Sequence, residues 1–547
     1  MKAATLSIYG HLFSSIAEDM GVTLERSAYS PNIKERLDFS CAIFLGDSQM
    51  LAQAAHIPVH LGAMPDSVKA AIRRCAPFEP GDVVIVNDPY LGGTHLPDIT
   101  IISPAFVKEQ RSEPAFFVAS RAHHSDIGGL SPGSMPLSTE IYQEGLIIPP
   151  VKLFNAGQRN DALWELILNN VRTPQERAGD LAAQLAANDI GLGRLYNLIS
   201  RNGLRECLTQ AQDLIEYATK MTRAAIDQIP DGRYTFKDYL DDDGRSTKMI
   251  PLQVTITING EKMMVDFTGS AQAVPGNLNA VPSIVESAVV YCLRCVAMQL
   301  LETELPMNQG AFEPLSILTE PGSILNPPRP YAVAAGNVET SQRVVDVVFG
   351  ALSKALPHLI PAASQGTMNN LTFGSRLESV DNPFQNNLPE PDKTTPGQPA
   401  DGLFAYYETI GGGTGAGPMN DGGHSMHAHM SNTLNTPVEA LEYGYPVRVI
   451  EYRQRSASGG AGKFKGGDGL VRTLEFLVPV TATVVSERRS RPPYGLNGGL
   501  AGKTGLNHVI RKGRVDILPG KFTVDLDAGD RLQIETPGGG GWGSPVS

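Results

Sequence analysis

Cysteine is scarce and odd in number: the 547 residues hold five, Cys41, Cys75, Cys207, Cys292 and Cys295, widely scattered. Such a set makes no disulfide framework and fits a reducing compartment. Basic clusters are missing as well. Lys and Arg total 45 against 57 Asp and Glu, a net charge of −12, and the densest basic group, Glu487-Arg488-Arg489-Ser490-Arg491, is too short to form a nucleic-acid-binding stripe. The start, Met1-Lys2-Ala3-Ala4-Thr5-Leu6, lacks the apolar core of a signal peptide. The most apolar long stretch, residues 283–301, carries Glu286 and Arg294, so it reads as a buried helix and not as a membrane span. Charged residues are few at 19% and apolar residues reach 41%, a balance that does not signal disorder. The expectation is a cytoplasmic, soluble protein with neither nucleic acid nor membrane as a partner.

Glycine and proline are plentiful, 56 and 40. They point to many turns and to a β-rich mixed fold rather than a helix bundle. At roughly 100–200 residues per domain, the length suggests three to four structural units. Apolar spacing predicts a helix over 6–20, a hairpin over 37–51 broken at Gly46-Asp47, and a helix over 63–74. Three strands follow at 82–86, 98–103 and 114–120. Residues 161–229 read as a long helical region punctuated by Pro174 and Gly203, and 234–269 as a strand pair or meander turning at Asp241-Asp242-Asp243-Gly244. Two further helices are expected at 284–301 and 338–356. The expected class is α+β, with a metal-bearing α/β region at 1–235, a mixed middle region at 236–380, a Pro-rich exposed loop at 381–402, and a β-rich, Gly-rich part at 403–547.

The strongest chemical signal lies in the first quarter. Asn87-Asp88-Pro89-Tyr90-Leu91-Gly92-Gly93-Thr94-His95-Leu96-Pro97-Asp98 follows a predicted strand and sets His95 three residues before Asp98. After the next strand pair comes Ala122-His123-His124-Ser125-Asp126-Ile127-Gly128-Gly129. Loops at strand ends are where binding and catalytic groups gather. Histidine and carboxylate without thiolate suit Mn, Fe or Zn, and three or four protein ligands leave positions open for water and substrate. The segment Lys34 to Ser40, with Asp38, offers a further ligand or a supporting group. A lone H-x-x-D is common in proteins without a metal, however, and His123-His124 is equally readable as a hydrogen-bonded turn.

Other groups carry weaker signals. Asp421 to His429 holds His424, His427 and His429, which fit substrate-pocket or structural use better than a second metal site. Cys292-Leu293-Arg294-Cys295 lies inside an apolar helix without the second pair that zinc requires. Asn497 to Thr504 resembles a P-loop, but Asn497 replaces the first glycine and a strand follows where a helix is needed. Gly411 to Gly417 lacks a βαβ context. The chain shows no convincing nucleotide-binding motif of its own.

Several long strings resemble the hydantoinase B family in order along nearly the whole chain. They are Glu35 to Ser40, His56-Ile57-Pro58-Val59-His60-Leu61-Gly62, Asn87 to Asp98, Ala122 to Gly129, Gly336 to Gln342, Asn432 to Glu442, and the ending Thr536 to Gly541. The resemblance implies the B-type component of an ATP-dependent cyclic amide hydrolase acting on a hydantoin, N-methylhydantoin, 5-oxoproline or lactam. An A-type ATPase component would bind ATP and Mg and phosphorylate the substrate, in an A2B2 or larger assembly, and the B-type component would complete ring opening with a divalent ion, Mn, Zn or Fe. Carried over, the metal ligands are Asp38, His95, Asp98 and His123; His123 is preferred to His124 because relatives often have His-Trp at that pair. His124 and Asp126 are the implied proton-transfer or ligand-orienting groups. The same family includes components of acetone and acetophenone carboxylases, which gives a ketone carboxylase component as an alternative. A non-catalytic scaffold component is another.

Overall fold

The computed structural model describes residues 3–54, 57–108, 110, 112–376 and 403–545. The expected Pro-rich loop at 381–402 and His56 lie outside the described residues. The chain runs through α1 (Ala3–Ser27), α2 (Pro31–Lys34), β1 (Phe39–Leu45), β2 (Met50–Gln53), α3 (Ala63–Cys75), β3 (Val83–Val86), β4 (Asp98–Ala105), β5 (Phe116–His123), β6 (Val151–Asn155) and β7 (Gln158–Arg159). These strands form one antiparallel sheet in the order β2-β1-β5-β4-β3-β6-β7.

The central strands are buried along their whole length because both faces of the sheet are covered. Successive side chains point to opposite faces, and the packing follows that rule. Phe39, Cys41, Ile43 and Leu45 join Phe13, Ile16 and Met20 of α1 and residues of the later helices in one apolar cluster. Ala42 and Phe44 join Met64 and Val68 of α3 in another.

The long helical region divides as expected into α4 (Asp161–Leu168), α5 (Pro174–Asn202) and α6 (Leu204–Ile226). Proline opens α5, where its missing N–H costs nothing. Gly203 at φ +83° separates α5 from α6, a backbone state that other residues rarely adopt. A four-stranded sheet follows: β8 (Gly232–Asp242), β9 (Lys248–Asn259), β10 (Lys262–Asp266) and, after α7 (Pro282–Leu301), β11 (Leu315–Leu318). By length and composition α7 is apolar enough to cross a membrane, with a mean hydropathy of 1.6. Ile284, Val285, Ala288, Val289, Cys292, Leu293 and Val296 are buried in the core. Next comes α8 (Thr340–Ala355), whose Val344, Val345, Val347 and Val348 are buried with α7 and the sheet in the largest apolar cluster. That cluster draws residues from both sides of positions 235 and 380.

The last part comprises β12 (Asn370–Ser375), β13 (Ala405–Glu408), α9 (Val438–Gly444), β14 (Val447–Arg455), β15 (Gly469–Phe476), β16 (Val480–Val485), β17 (Leu506–Arg511), β18 (Arg514–Leu518), β19 (Lys521–Leu526) and β20 (Arg531–Glu535). They make two antiparallel sheets, β13-β12-β16-β19 and β14-β15-β20-β17-β18. Phe373 and Tyr406 of the first meet Leu474, Phe476 and Ile534 of the second in a shared apolar cluster, the arrangement that two one-faced sheets require. The molecule is thus a mixed α+β fold of several sheets, β-rich toward its C-terminal end.

The Gly-rich tail is an ordered ribbon. Gly540 N–H donates to Ala363 O, Gly539 N–H to Gly467 O and Gly541 N–H to Leu500 O, while the tail carbonyls accept from Gly413, Ala416 and Gly460. The backbones lie so close that a Cβ on Gly539 would sit 1.9 Å from Thr414 O.

Candidate metal centre

Strand register builds the site. In the sheet β1 neighbours β5 and β5 neighbours β4. Asp98 pairs directly with His123, and Phe39 pairs with Ala122. The next step of that ladder sets Asp38 beside His123, whose N–H donates to Asp38 O at 3.0 Å. Directly opposite residues share a face, so Asp38, His123 and Asp98 form a row across three strands. His95 enters from the loop that leads into β4. His60 enters from the short turn Pro58–His60.

Asp98 is the hub of the cluster. Its Oδ1 lies 3.2 Å from His95 Nε2 and 3.7 Å from His123 Nδ1, and its Oδ2 lies 3.4 Å from His60 Nε2. Thr94 Oγ1 donates to Oδ2 at 2.7 Å. All five side chains are buried. Burial alone would raise the Asp98 carboxyl, but His95 and His60 overcome that and hold it well below the usual carboxylate range. Burial drives the His123 imidazole well below its ordinary value, with Asp98 only partly opposing. An ionised carboxylate beside a neutral imidazole is the protonation state that a divalent ion needs. Asp38 is pushed up, first by burial and then by Asp98, against the pull of Arg36.

The donor set fits such an ion on three counts. His95 Nδ1 lies 3.2 Å from Ala334 O, a carbonyl that only accepts, so Nδ1 carries the proton. Nε2, on the other side of the ring, faces Asp98 Oδ1 at 3.2 Å and Asn337 Nδ2 at 3.1 Å. A ligating histidine that donates its other N–H to a backbone carbonyl is the usual arrangement around a metal. Next, His123 Nε2 is buried without a partner among the described residues. Finally, the ligand atoms of His95, Asp98 and His123 all lie within 4.8 Å of one another. Bonds of about 2.1 Å in a tetrahedral site separate ligand atoms by about 3.4 Å, close to the spacings seen.

Against His60, Asp98 and His123 lies a cavity of about 20 Å³, lined also by Asp38, Asn337, Tyr407 and Ser431, enough for one water or ion. Tyr407 stacks on His123 with ring centroids 4.1 Å apart, and its hydroxyl donates to Asn370 Oδ1 at 2.9 Å. Arg36 donates to Tyr407 O at 3.0 Å and to Thr409 Oγ1 at 2.6 Å. Beside the small cavity lies a chamber of about 660 Å³, with Ser431 in the wall of both. A wider cleft of about 920 Å³, between the first sheet and α5, holds none of the cluster residues.

The structure therefore brings His95, Asp98 and His123 together and sets Asp38 on the small cavity beside Asp98 and His123. It turns His124 and Asp126 elsewhere. His124 follows His123 and points to the opposite face, where Nε2 donates to Gln184 Oε1 at 3.0 Å. Burial, aided by Arg177, pushes its imidazole down to about 4. Asp126 accepts from Arg172 Nη1 at 2.9 Å and from Gly128 N at 3.0 Å, bracing a turn. His427 and His429 both line the chamber, although their segment is a succession of turns and not a strand. Sequence spacing alone assigns no role to His60 or Asn337. His60 is far from the H-x-x-D string along the chain, and its one signal was membership of the string beginning at His56.

Known proteins resemble the chain over its whole length. A sequence model described as Hydantoinase B/oxoprolinase matches residues 2–545. The 5-oxoprolinase 1 of Arabidopsis thaliana is 41% identical over 99% of this chain, which spans 42% of that protein. A protein from Pseudomonas sp. (strain NS671), named as the B-type component of a D-/L-hydantoinase, is 30% identical over 97% of this chain and 88% of its own length. The crystal structure of ATP-dependent caprolactamase from Pseudomonas jessenii superposes with a TM-score of 0.88 at 26% identity, covering 100% of this chain and 91% of that one. Acetone carboxylase shares the fold at 17% identity, with a TM-score of 0.85 over 100% of this chain and 76% of that one.

Proposed function

Because the chain belongs to the hydantoinase B/oxoprolinase family, we propose that it is the metal-bearing B-type component of an ATP-dependent cyclic amide hydrolase. The reading is supported by relatives named for 5-oxoproline, hydantoin and caprolactam chemistry. The observation that carries it is the buried His60, His95, His123 and Asp98 cluster beside a chamber of about 660 Å³, a size suited to a small ligand. The reaction includes an A-type ATPase partner, in an A2B2 or larger assembly. The name of the Pseudomonas sp. relative, a B-type component, supports such a partner. The compartment is the cytoplasm.

Each residue has a definable task on this reading. His95, Asp98 and His123 would hold the ion, with Asp38 and His60 as additional oxygen and nitrogen donors. A divalent ion there would supply Lewis-acid polarisation of a substrate oxygen. Thr94 orients Asp98 at 2.7 Å, and the Ala334 carbonyl orients His95 through Nδ1 at 3.2 Å. Tyr407 fixes the His123 ring. The surrounding apolar side chains, Val338, Met368 and Met430 among them, keep bulk water out of the cavity.

The test combines composition with turnover. The chain would be purified with a co-expressed A-type partner and assayed with ATP on 5-oxoproline, hydantoin, N-methylhydantoin and caprolactam. Ring opening coupled to ATP hydrolysis is expected for at least one. About one Mn, Zn or Fe per chain is expected, lost in His95→Ala together with turnover. A His95→Ala complex with full metal and normal turnover would refute the site. A wild-type complex that opens none of these rings would refute the reaction.

A further inference from the structure

Ser431 stands in the wall shared by the small cavity and the chamber, and it is buried, with 3% of its surface exposed. Its hydroxyl lies 2.7 Å from His427 Nδ1. His427 Nε2 lies 3.3 Å from Asn435 Oδ1. Asn435 Nδ2 in turn lies 2.9 Å from Glu408 Oε1 and 2.8 Å from Thr409 O. Glu408 is anchored by the buried Arg472 at 3.1 Å.

The direction of every hydrogen bond in this chain follows from its far end. Thr409 O only accepts, so the amide nitrogen of Asn435 faces it and Oδ1 faces the imidazole. Oδ1 also only accepts, so His427 Nε2 carries the ring proton. Nδ1 of the neutral ring is then an acceptor, and Ser431 donates its hydroxyl proton to it. A hydroxyl bound to the free nitrogen of an imidazole whose other nitrogen is fixed by a third group is the geometry of an activated hydroxyl. Burial pushes the His427 imidazole down to about 4, which keeps the ring neutral and accepting although the residue is half-buried at the chamber wall. The turn that presents Ser431 is held tightly. Ser431 N–H donates to Ala428 O at 3.3 Å, and His429 between them sits at φ +59°, a backbone strain that this local hydrogen bond and the Tyr291 hydroxyl, 3.3 Å from His429 Nδ1, sustain.

We infer that Ser431 and His427 form a proton relay at the mouth of the metal-type cavity, Ser431 facing the reacting groups and His427 positioned behind it. The inference rests on the hydrolytic reading above. As the attacking water forms its C–O bond to the ring carbonyl carbon, it loses a proton to Ser431 Oγ, and the proton of Ser431 passes to His427 Nδ1. When the ring C–N bond breaks, its electron pair stays on nitrogen, and the proton returns by the same route to that nitrogen. Serine and histidine end unchanged, the ring opens to an acyl phosphate carrying the phosphoryl group that the A-type partner placed on the carbonyl oxygen, and a second water releases that group as inorganic phosphate and leaves the carboxylate.

Two measurements test the relay. On the full chain labelled with nitrogen-15 in histidine, and with His427→Gln to assign the signal, His427 Nδ1 is expected to resonate as an unprotonated nitrogen and Nε2 as a protonated one. A protonated Nδ1 overturns the relay. In the complex with its partner, on whichever ring the wild type opens, Ser431→Ala and His427→Gln are each expected to lower kcat by about 10²–10⁴-fold. KM and metal content should stay near wild type, the solvent deuterium isotope effect should change, and the double variant should be no slower than either single one. Ser431→Thr, which keeps the hydroxyl, is expected to restore most of the rate. Wild-type kcat in Ser431→Ala overturns the relay. If the wild-type complex opens none of the rings, the hydrolytic reading fails on its own account, and the nitrogen measurement, made without substrate, still supports or overturns the hydrogen-bonded pair.

Discussion

Replacing Thr94 by valine removes one hydroxyl and almost nothing else. That hydroxyl donates to Asp98 Oδ2 at 2.7 Å, and both residues are buried. No bulk water reaches the carboxylate to take its place. A hydrogen bond to a charged group is worth about 1.5–3 kcal/mol, which at 1.4 kcal/mol per factor of ten is about 10- to 100-fold in an equilibrium constant. An independent route gives the same range, since removing a group that orients a metal ligand costs about 10–100-fold in affinity. Both describe one event: without Thr94, Oδ2 keeps, among the described residues, only His60 at 3.4 Å, and the carboxylate is freer to rotate Oδ1 away from His95 and His123. The assay is competition for the metal by a chelator of known affinity, with metal per chain measured by elemental analysis. The expected result is unchanged stoichiometry with Kd raised by about 10- to 100-fold. An unchanged Kd in a normally folded variant would show that Asp98 is not oriented for an ion, and the reasoning would fail.

Three further outcomes follow from other parts of the molecule. His60→Ala should weaken metal retention by about tenfold or more, whereas His124→Gln, on the opposite face of the sheet, should leave it unchanged; the reverse pattern in chelator dialysis would restore the sequence-based role of His124. Burial raises the Glu339 carboxyl to about 8, against hydrogen bonds from Thr367 and Met368 that lower it. The folded state then holds a proton that the unfolded state releases. Its contribution is complete below about 4.5 and lost as pH rises to about 8, to a maximum of about 5 kcal/mol. Urea unfolding at pH 5 and pH 8 should show this fall, and Glu339→Gln should flatten it; an equal slope in both proteins would contradict the assignment. Gly539→Ala should be destabilised by more than about 4 kcal/mol, since its Cβ would lie 1.9 Å from Thr414 O. Gly444→Ala, with nothing within 4 Å, should be as stable as wild type in the same thermal scan.

Much of the fold is legible because local rules decide it. The apolar spacing of 63–74, the glycine after Asn202 and the proline at 174 mark their helices whatever surrounds them. The strand that begins at Asp98 and the strand that ends at His123 are legible for the same reason, and with them the two loops of the centre. What the sequence does not display is register. Nothing in the spacing of Asp38, Asp98 and His123 says that β5 lies between β1 and β4, and that order alone makes a row of them. Parity decides the choice between His123 and His124: one residue of register moves a side chain to the other face. His60 and Ser431 were hidden for a different reason. They reach the cavity from turns, whose direction is set by packing with distant segments, and Ser431 acquires meaning only beside His427 and Asn435. The resemblance to a known family supplied what spacing does not, a set of strings whose separate pieces meet in space.

The glycine ribbon ties the order of synthesis to the site. Residues 537–541 supply acceptors to Gly413, Ala416 and Gly460 and donors to Ala363, Gly467 and Leu500. A nascent chain that has emerged only as far as Thr536 holds those groups without partners, however well its sheets have formed. The loop bearing His427 and Ser431 follows directly from the segment that this ribbon secures. The segment that leads into the centre's outer wall therefore cannot complete these hydrogen bonds until residues 537–541 have emerged. A chain clipped before Pro537 lacks the backbone partners that secure Gly413 and Ala416, just before the loop that faces the row of Asp38, His123 and Asp98.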